Sequence, residues 1–219
     1  MAFASTGAQA EAMPRIVRHL KQGGLIACPT ETVYGFSCAI DPEPLRRLRE
    51  LKQRDAGQPF LLLVRDASDV AGAVWTEPAT RLAVAFWPGP LTLVLPASSK
   101  LPVHVRGPGG TIAIRATSHA GMRLLLRAWR KPLTSTSANR PKEPPAISAA
   151  AVRSALEAVR APGHILILDG GELPPSAPST IVDCSKQPPR LLREGAIATE
   201  DLERIIHDLD TGRHDRRDR

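Results

Sequence analysis

Six clusters of polar and charged residues stand at the ends of short apolar runs, where α/β sheets commonly bind ligands. Pro29-Thr30-Glu31-Thr32-Val33-Tyr34-Gly35 sets two hydroxyls, a carboxylate and a phenol behind the run Leu25 to Cys28. Lys52-Gln53-Arg54 closes a helical pattern that starts at Asp41. Such cations suit the negative end of the helix dipole, and an Arg fork beside a Lys point charge can also clamp phosphates. Thr111 and Arg115 flank an apolar centre, and Ser135, Ser137 and Asn139 alternate, so a strand would point all three to one side. Ser179-Thr180 precedes Ile181-Val182-Asp183, and Arg193 follows Leu191-Leu192. Taken singly, each cluster is better explained by capping or turn chemistry than by a ligand site.

The familiar nucleotide and hydrolase signatures are missing from the chain. There is no GxxxxGK[ST], GPGG at 107–110 is not a dinucleotide fingerprint, and there is no GxSxG. Cys28, Cys38 and Cys184 form no CxxC pair, and the histidines lack metal-ligand spacing, so neither a zinc site nor a disulfide framework is expected. The thiols are expected to stay reduced.

The elements that must carry these clusters are legible in the hydrophobic pattern. Residues 9–22 read as a helix with Ile16, Val17 and Leu20 on one face, stopped at Gly23-Gly24. Leu25–Cys28, Phe60–Val64, Leu91–Leu95, Ile165–Leu168 and Thr180–Val182 read as strands, and Thr111–Arg115 as a half-exposed strand. Pro29–Tyr34 reads as a loop or strand edge, and Leu133–Asn139 as a polar strand and loop. Asp41 with Pro42 opens a helix through Leu45, Leu48 and Leu51. A helix holding Leu82 and Phe86 ends at Trp87-Pro88-Gly89-Pro90. Ser118, Ser148 and Thr199 are the expected caps of three further helices, the last running through Leu202, Ile205, Ile206 and Leu209. Helices and strands interleave without a strict βαβ repeat, so a single α/β domain over 9–209 with a twisted mixed sheet is expected. Residues 210–219 are expected to be a disordered tail.

Composition narrows the class. Of 219 residues, 42% are hydrophobic and 23% charged, ordinary for a folded domain. No run approaches the roughly 18 apolar residues of a membrane span, and the N-terminus lacks a secretory signal pattern, so a cytoplasmic location is expected. The formal charge is +7, and residues 207–219 balance four Arg against four Asp, so the excess lies on the body. That fits an anionic ligand without choosing among nucleotide, nucleic acid and acidic surface. Aromatic residues at 4% argue against single strands held by base stacking.

In chain order, PTETVYG, the KxR at 52–54, FWPGPLTLVL, TIAIR, STSAN, ILDGG, STIVD and LLREG resemble the YrdC-like threonylcarbamoyl-AMP synthase family, from about Gly23 to Gly195. The resemblance implies a concave, positively charged pocket in a mixed α/β sheet, in the short form without an added C-terminal domain. It implies that L-threonine, bicarbonate and ATP, with Mg2+, give threonylcarbamoyl-AMP and pyrophosphate. A separate transferase complex would then carry the group to tRNA. Carried over residue by residue, Lys52 and Arg54 hold phosphates. Thr30 and Arg115 hold threonine, Arg115 through the carboxylate. Thr111, Ser135, Ser137, Asn139 and Arg193 face the nucleotide. Ser179 lies near the join of the two substrates, and Tyr34 shapes the pocket. Glu31 is either a general base or an exposed carboxylate. The chain departs from the family pattern at Asp55, at Arg140-Pro141-Lys142, at Ala116-Thr117 after TIAIR, at Pro178 and at Glu194.

Two other readings compete. A double-stranded RNA or ribosome-binding module would suit the net charge. It would not require the small polar groups Thr30, Ser135, Ser137 and Asn139. A carbamoyl-adenylate domain of the hydrogenase-maturation kind would be expected inside a much larger chain with zinc-finger motifs.

Overall fold

Period-two burial organises the computed structural model, which describes residues 1–55, 58–139, 143–158 and 165–212. The strands are β1 (Leu25–Pro29), β2 (Tyr34–Ser37), β3 (Leu61–Val64), β4 (Leu91–Pro96), β5 (Thr111–Ala116), β6 (Leu133–Ser137), β7 (Ile165–Ile167), β8 (Thr180–Asp183) and β9 (Arg190–Arg193). They form one sheet in the order β7-β1-β2-β6-β3-β5-β4-β8-β9. The pairs β1/β7, β3/β5 and β4/β8 are parallel and the others antiparallel, so the sheet is mixed, as expected.

The helices are α1 (Thr6–Lys21), α2 (Pro42–Lys52), α3 (Glu77–Phe86), α4 (Ala120–Trp129), α5 (Ala149–Ala158) and α6 (Thr199–Glu203). On the face of β3, β4, β5 and β8 that packs with Ala79 and Leu82 of α3, the core takes Leu62, Val64, Leu91, Leu93, Leu95, Ile112, Ile114 and Val182. A second cluster joins β1 and β2 to Leu45 and Leu48 of α2 and Val152 of α5. A third joins α1 and α4 to Ile26, Leu63 and Leu133. The apolar stripes at helical spacing therefore do what they imply: each buries one face against the sheet.

The helix ends differ from expectation in informative ways. α1 starts earlier, at Thr6, where Ser5 Oγ accepts from the Ala8 amide. α4 is capped by His119, whose Nδ1 accepts from Met122 N at 3.3 Å, and not by Ser118. α6 is short: its cap residue is Ala198, while the Thr199 hydroxyl is given to the Glu194 carboxylate, and turns replace the helix expected to Leu209. Asp41 has the extended backbone of a cap with Pro42 behind it but makes no side-chain cap bond. Ser148 Oγ does accept from Ala151 N, at 3.1 Å. The ordered chain runs past the expected boundary at Leu209: Asp210 N donates to Pro189 O, and Asp210 O accepts from Leu191 N, both at 2.8 Å. Residues 213–219 lie outside the described residues, as do Arg140-Pro141-Lys142 and Val159, the last apolar residue of the helix expected after Ser148.

Candidate active site

On the central strands, the residues that alternate with the α3-side core turn to the opposite face, as a pleated sheet requires. Ile112 and Ile114 are in the core, so Thr111, Ala113 and Arg115 point the other way. By the same parity β4 presents Thr92 and Val94, β3 presents Leu61, β6 presents Ser135 and Ser137, and β8 presents Ile181. Register places Ser135 beside Leu61, Ala113 beside Val94, and Thr92 beside Ile181. Apart from Thr111, these residues floor a cleft of about 510 Å³, with an apolar centre between hydroxyl-bearing edges. Its walls carry Thr30 and Thr32, Arg54, Ser179 and Arg193, each from a loop or strand end.

Three guanidinium groups and no carboxylate are among the lining residues. Arg115 is 4% exposed, and its terminal nitrogens have no hydrogen-bond partner among the described residues. Its buried Nε lies 3.5 Å from Glu31 Oε1, and both atoms lack an aligned hydrogen bond. Burial pulls the Arg115 pKa below the ordinary guanidinium value, with Glu31 pulling the other way. Arg193 is likewise lowered, by burial and then by the nearby charge of Arg115. Arg193 donates from Nε and Nη2 to the Ser179 carbonyl at 3.0 and 2.7 Å, and from Nη2 to Ser179 Oγ at 3.2 Å. Ser179 Oγ in turn lies 2.9 Å from Thr92 Oγ1. Arg54 stacks over Phe60, 4.9 Å from the ring centroid, and its buried Nε has no partner. Burial, then Arg49, lowers its pKa. Crowded cations with unspent donors favour an anionic ligand, because an anion relieves both the repulsion and the missing hydrogen bonds.

A family model named Sua5/yciO/yrdC, described as "Telomere recombination", matches residues 18–195. The chain belongs to the Sua5/yciO/yrdC family. A Pyrococcus abyssi protein named threonylcarbamoyl-AMP synthase is 36% identical over 194 residues, 87% of this chain and 56% of the relative. A Thiobacillus denitrificans protein of the same name is 38% identical over 178 residues, covering 78% of this chain and 90% of that one. Among solved structures, P. abyssi Sua5 complexed with L-threonine superposes with a TM-score of 0.82 at 33% identity, over 90% of this chain and 58% of that one. Escherichia coli YciO gives 0.78 at 27% identity, over 88% and 93%. The chain thus spans little more than half the length of the P. abyssi relatives and nearly all of YciO.

Of the residues that the resemblance to this family singled out, Thr30, Arg54, Arg115, Ser135, Ser137, Ser179 and Arg193 meet at the cleft. Four stand elsewhere. Tyr34 is fully buried, and its hydroxyl donates to Gly171 O at 2.6 Å and accepts from Gly170 N at 3.0 Å. It pins the ILDGG turn to β2. Thr111 Oγ1 donates to Pro108 O at 3.0 Å, outside the cleft lining. Lys52 Nζ donates to Ser137 O at 2.8 Å, Asn139 O at 2.6 Å and Asn139 Oδ1 at 2.8 Å. An ammonium has three donors, and all are spent here. Asn139 also takes the Ser137 hydroxyl on Oδ1 and lines a smaller neighbouring pocket with Glu143 and Pro144. Lys52 and Asn139 therefore form one unit behind the Ser135–Ser137 wall.

The departures from the Sua5/yciO/yrdC pattern sort by position. Asp55 is exposed, and Arg140-Pro141-Lys142 lies outside the described residues. Pro178 lines the cleft, and its carbonyl accepts from Ala196 N at 2.9 Å. A Cβ on Gly195 would stand 2.1 Å from that carbonyl oxygen, so the Arg193-Glu194-Gly195 turn can fold under Pro178 only with glycine there. Thr117 gives its hydroxyl to Glu31 Oε2, so Glu31 is not the exposed carboxylate of one sequence reading; its side chain is 13% exposed. Thr32, the second hydroxyl of the Pro29–Gly35 cluster, lines the cleft, as does Thr92, which the sequence reading did not single out. A larger apolar groove of about 730 Å³ around Trp75 and Trp87 holds none of the candidate polar residues, so size does not mark the site.

Proposed function

We propose that the chain condenses L-threonine, bicarbonate and ATP into threonylcarbamoyl-AMP and pyrophosphate. The observation that carries this reading is the crowding of Arg54, Arg115 and Arg193 around one cleft with an apolar floor and hydroxyl rims. The names of relatives that cover most of this chain supply the reaction class. A carbamate formed from the threonine amine attacks the α-phosphorus through oxygen, and pyrophosphate leaves. Nothing in that step needs a covalent enzyme intermediate. It needs anions held together against their repulsion, with donors placed where charge develops.

The residues divide by what they offer. Arg115 presents its terminal nitrogens to the threonine carboxylate as a two-pronged donor, and Thr30 stands beside it in the wall. Arg54 and Arg193 face the phosphates and the nucleotide, with Ser135, Ser137 and Ser179 at the edges. Lys52 and Asn139 serve the nucleotide side by fixing the Ser137 end of β6. Among the described residues no group of three His, Cys, Asp or Glu could hold a metal ion. Magnesium is assigned to the ATP phosphates, where it would neutralise charge. A downstream transferase complex acting on tRNA consumes the adenylate, and the location is the cytoplasm.

Small hydroxyls lining a deep cleft suit small ligands, which is why this reading is preferred to an RNA-binding module. The reading is tested by pyrophosphate release with each substrate omitted in turn. Release that needs threonine, bicarbonate and ATP together supports it. Release without threonine, or tight salt-sensitive RNA binding with no ATP chemistry, overturns it.

A further inference from the structure

Glu31 is the carboxylate within ion-pair distance of Arg115 among the described residues, and the pair is enclosed: their side chains are 13% and 5% exposed. Oxygen Oε2 of Glu31 accepts the Thr117 hydroxyl, whose oxygen also accepts from the His119 amide at 3.2 Å. The other oxygen, Oε1, is buried without a hydrogen-bond partner and faces the equally unpartnered Arg115 Nε at 3.5 Å. The loop bearing Glu31 is itself fixed, because Thr30 Oγ1 donates to Val33 O at 2.7 Å and accepts from Thr32 N and Val33 N. Thr117, Glu31 and Arg115 thus stand in file, from the start of the turn before α4 to the cleft. Glu31 is not among the cleft-lining residues, whereas Arg115 is.

A guanidinium can turn about its last bonds. One that must grip a carboxylate with two parallel bonds needs its Nε edge held so that the two terminal nitrogens face the ligand. We propose that Glu31 is a positioning residue, neither a proton acceptor nor a ligand contact. It holds the Nε edge of Arg115 by offering an acceptor there, and so presets the fork for an amino-acid carboxylate. The ligand rests on the proposed function; the geometry does not.

Two variants and two readouts separate the possibilities. Glu31→Ala removes both acceptor and charge. Glu31→Gln keeps an acceptor at the same place and a partner for Thr117. The first readout is the Arg115 Nε–H resonance in an NMR spectrum, assigned by its loss in Arg115→Lys. It should be slowly exchanging in the unmodified protein and in Glu31→Gln, and exchange at least tenfold faster in Glu31→Ala. The second is steady-state kinetics with threonine varied. Glu31→Ala should raise the threonine KM at least tenfold with kcat changed less than threefold, and Glu31→Gln should recover most of that loss. An unchanged Nε–H exchange rate in Glu31→Ala overturns the proposal. So does a fall in kcat at constant KM in both variants, which would make Glu31 a proton acceptor. If the unmodified protein shows no threonine-dependent turnover, the proposed function fails, and the resonance alone still decides the role of Glu31. Should Glu31→Ala not fold, Glu31→Gln must show the protected resonance and a near-normal threonine KM, or the proposal falls.

Discussion

Lys52 Nζ lies 2.8 Å from Asn139 Oδ1 and 2.6 Å from the Asn139 carbonyl oxygen, so the end of α2 is tied to the turn that follows β6. Through this tie a helix-end cation that does not line the cleft would still act on the proposed nucleotide site. Lys52→Ala should lower kcat/KM for ATP at least tenfold, about 1.4 kcal/mol. Asn139→Ala should cost a similar amount. Residues that act as one unit are not additive, so the double variant should be little worse than either single one. A double-variant cycle on kcat/KM checks this. Additive losses would mean that Lys52 reaches a phosphate independently of Asn139.

The same lysine sets a pH dependence. Burial, with Arg54 nearby, brings the Lys52 pKa down to about 8 from its ordinary 10.5. The native state then sheds this proton before the unfolded chain does. Between about pH 8 and 10.5 the unfolded chain binds more protons, so this group's contribution to stability rises with pH across that window. Activity moves the other way, because the neutral amine has one donor fewer for the three carbonyl-type oxygens of Ser137 and Asn139. The alkaline limb of kcat/KM should fall with an apparent pKa near 8, and Lys52→Arg should shift it upward. The check is a pH profile of both proteins; identical limbs would remove Lys52 as its cause.

Arg115→Lys keeps a positive charge and loses the fork. The loss of one charge-assisted bond, about 1.5–3 kcal/mol, corresponds to a threonine KM raised roughly ten- to a hundredfold. ATP binding measured by calorimetry should change little. Equal losses for ATP and threonine would show that Arg115 does not read the carboxylate.

Thr92→Val deletes the hydroxyl that meets Ser179 Oγ at 2.9 Å while keeping shape. The expected cost is about 1 kcal/mol of stability for one buried hydrogen bond. For a chain of this size that is a fall in Tm of roughly 2–4 °C. Thermal unfolding of the variant measures it, and an unchanged Tm would mean that Ser179 is held by Arg193 alone.

How far the site could be read from sequence depends on what kind of signal each residue carries. Ser135, Ser137 and Arg115 sit in short alternating segments, so their common face follows from pleat parity. Thr92 hides inside the apolar run Leu91–Leu95. Only the burial of Leu91, Leu93 and Leu95 on one side reveals that Thr92 and Val94 face the other. β2 is not legible beyond Tyr34, where the Pro29–Tyr34 loop or strand edge ends, because Tyr34–Ser37 is buried on both faces and shows no alternation. β9 has two leucines between arginines, too short a run to stand out. The inward turn of Lys52 toward Asn139 depends on a contact 87 residues away in sequence, which local pattern cannot carry. Capping residues were chosen by type, and His119 took the place of Ser118 because an imidazole nitrogen can accept the same amide.

Whether the cleft makes the adenylate is decided by pyrophosphate release from the purified chain with ATP and magnesium, while threonine and bicarbonate are omitted in turn. Release is expected only when both are present, with an adenylate product carrying the threonine carbon skeleton in equal amount. Equal release in the absence of threonine, or none with the full set, would contradict it.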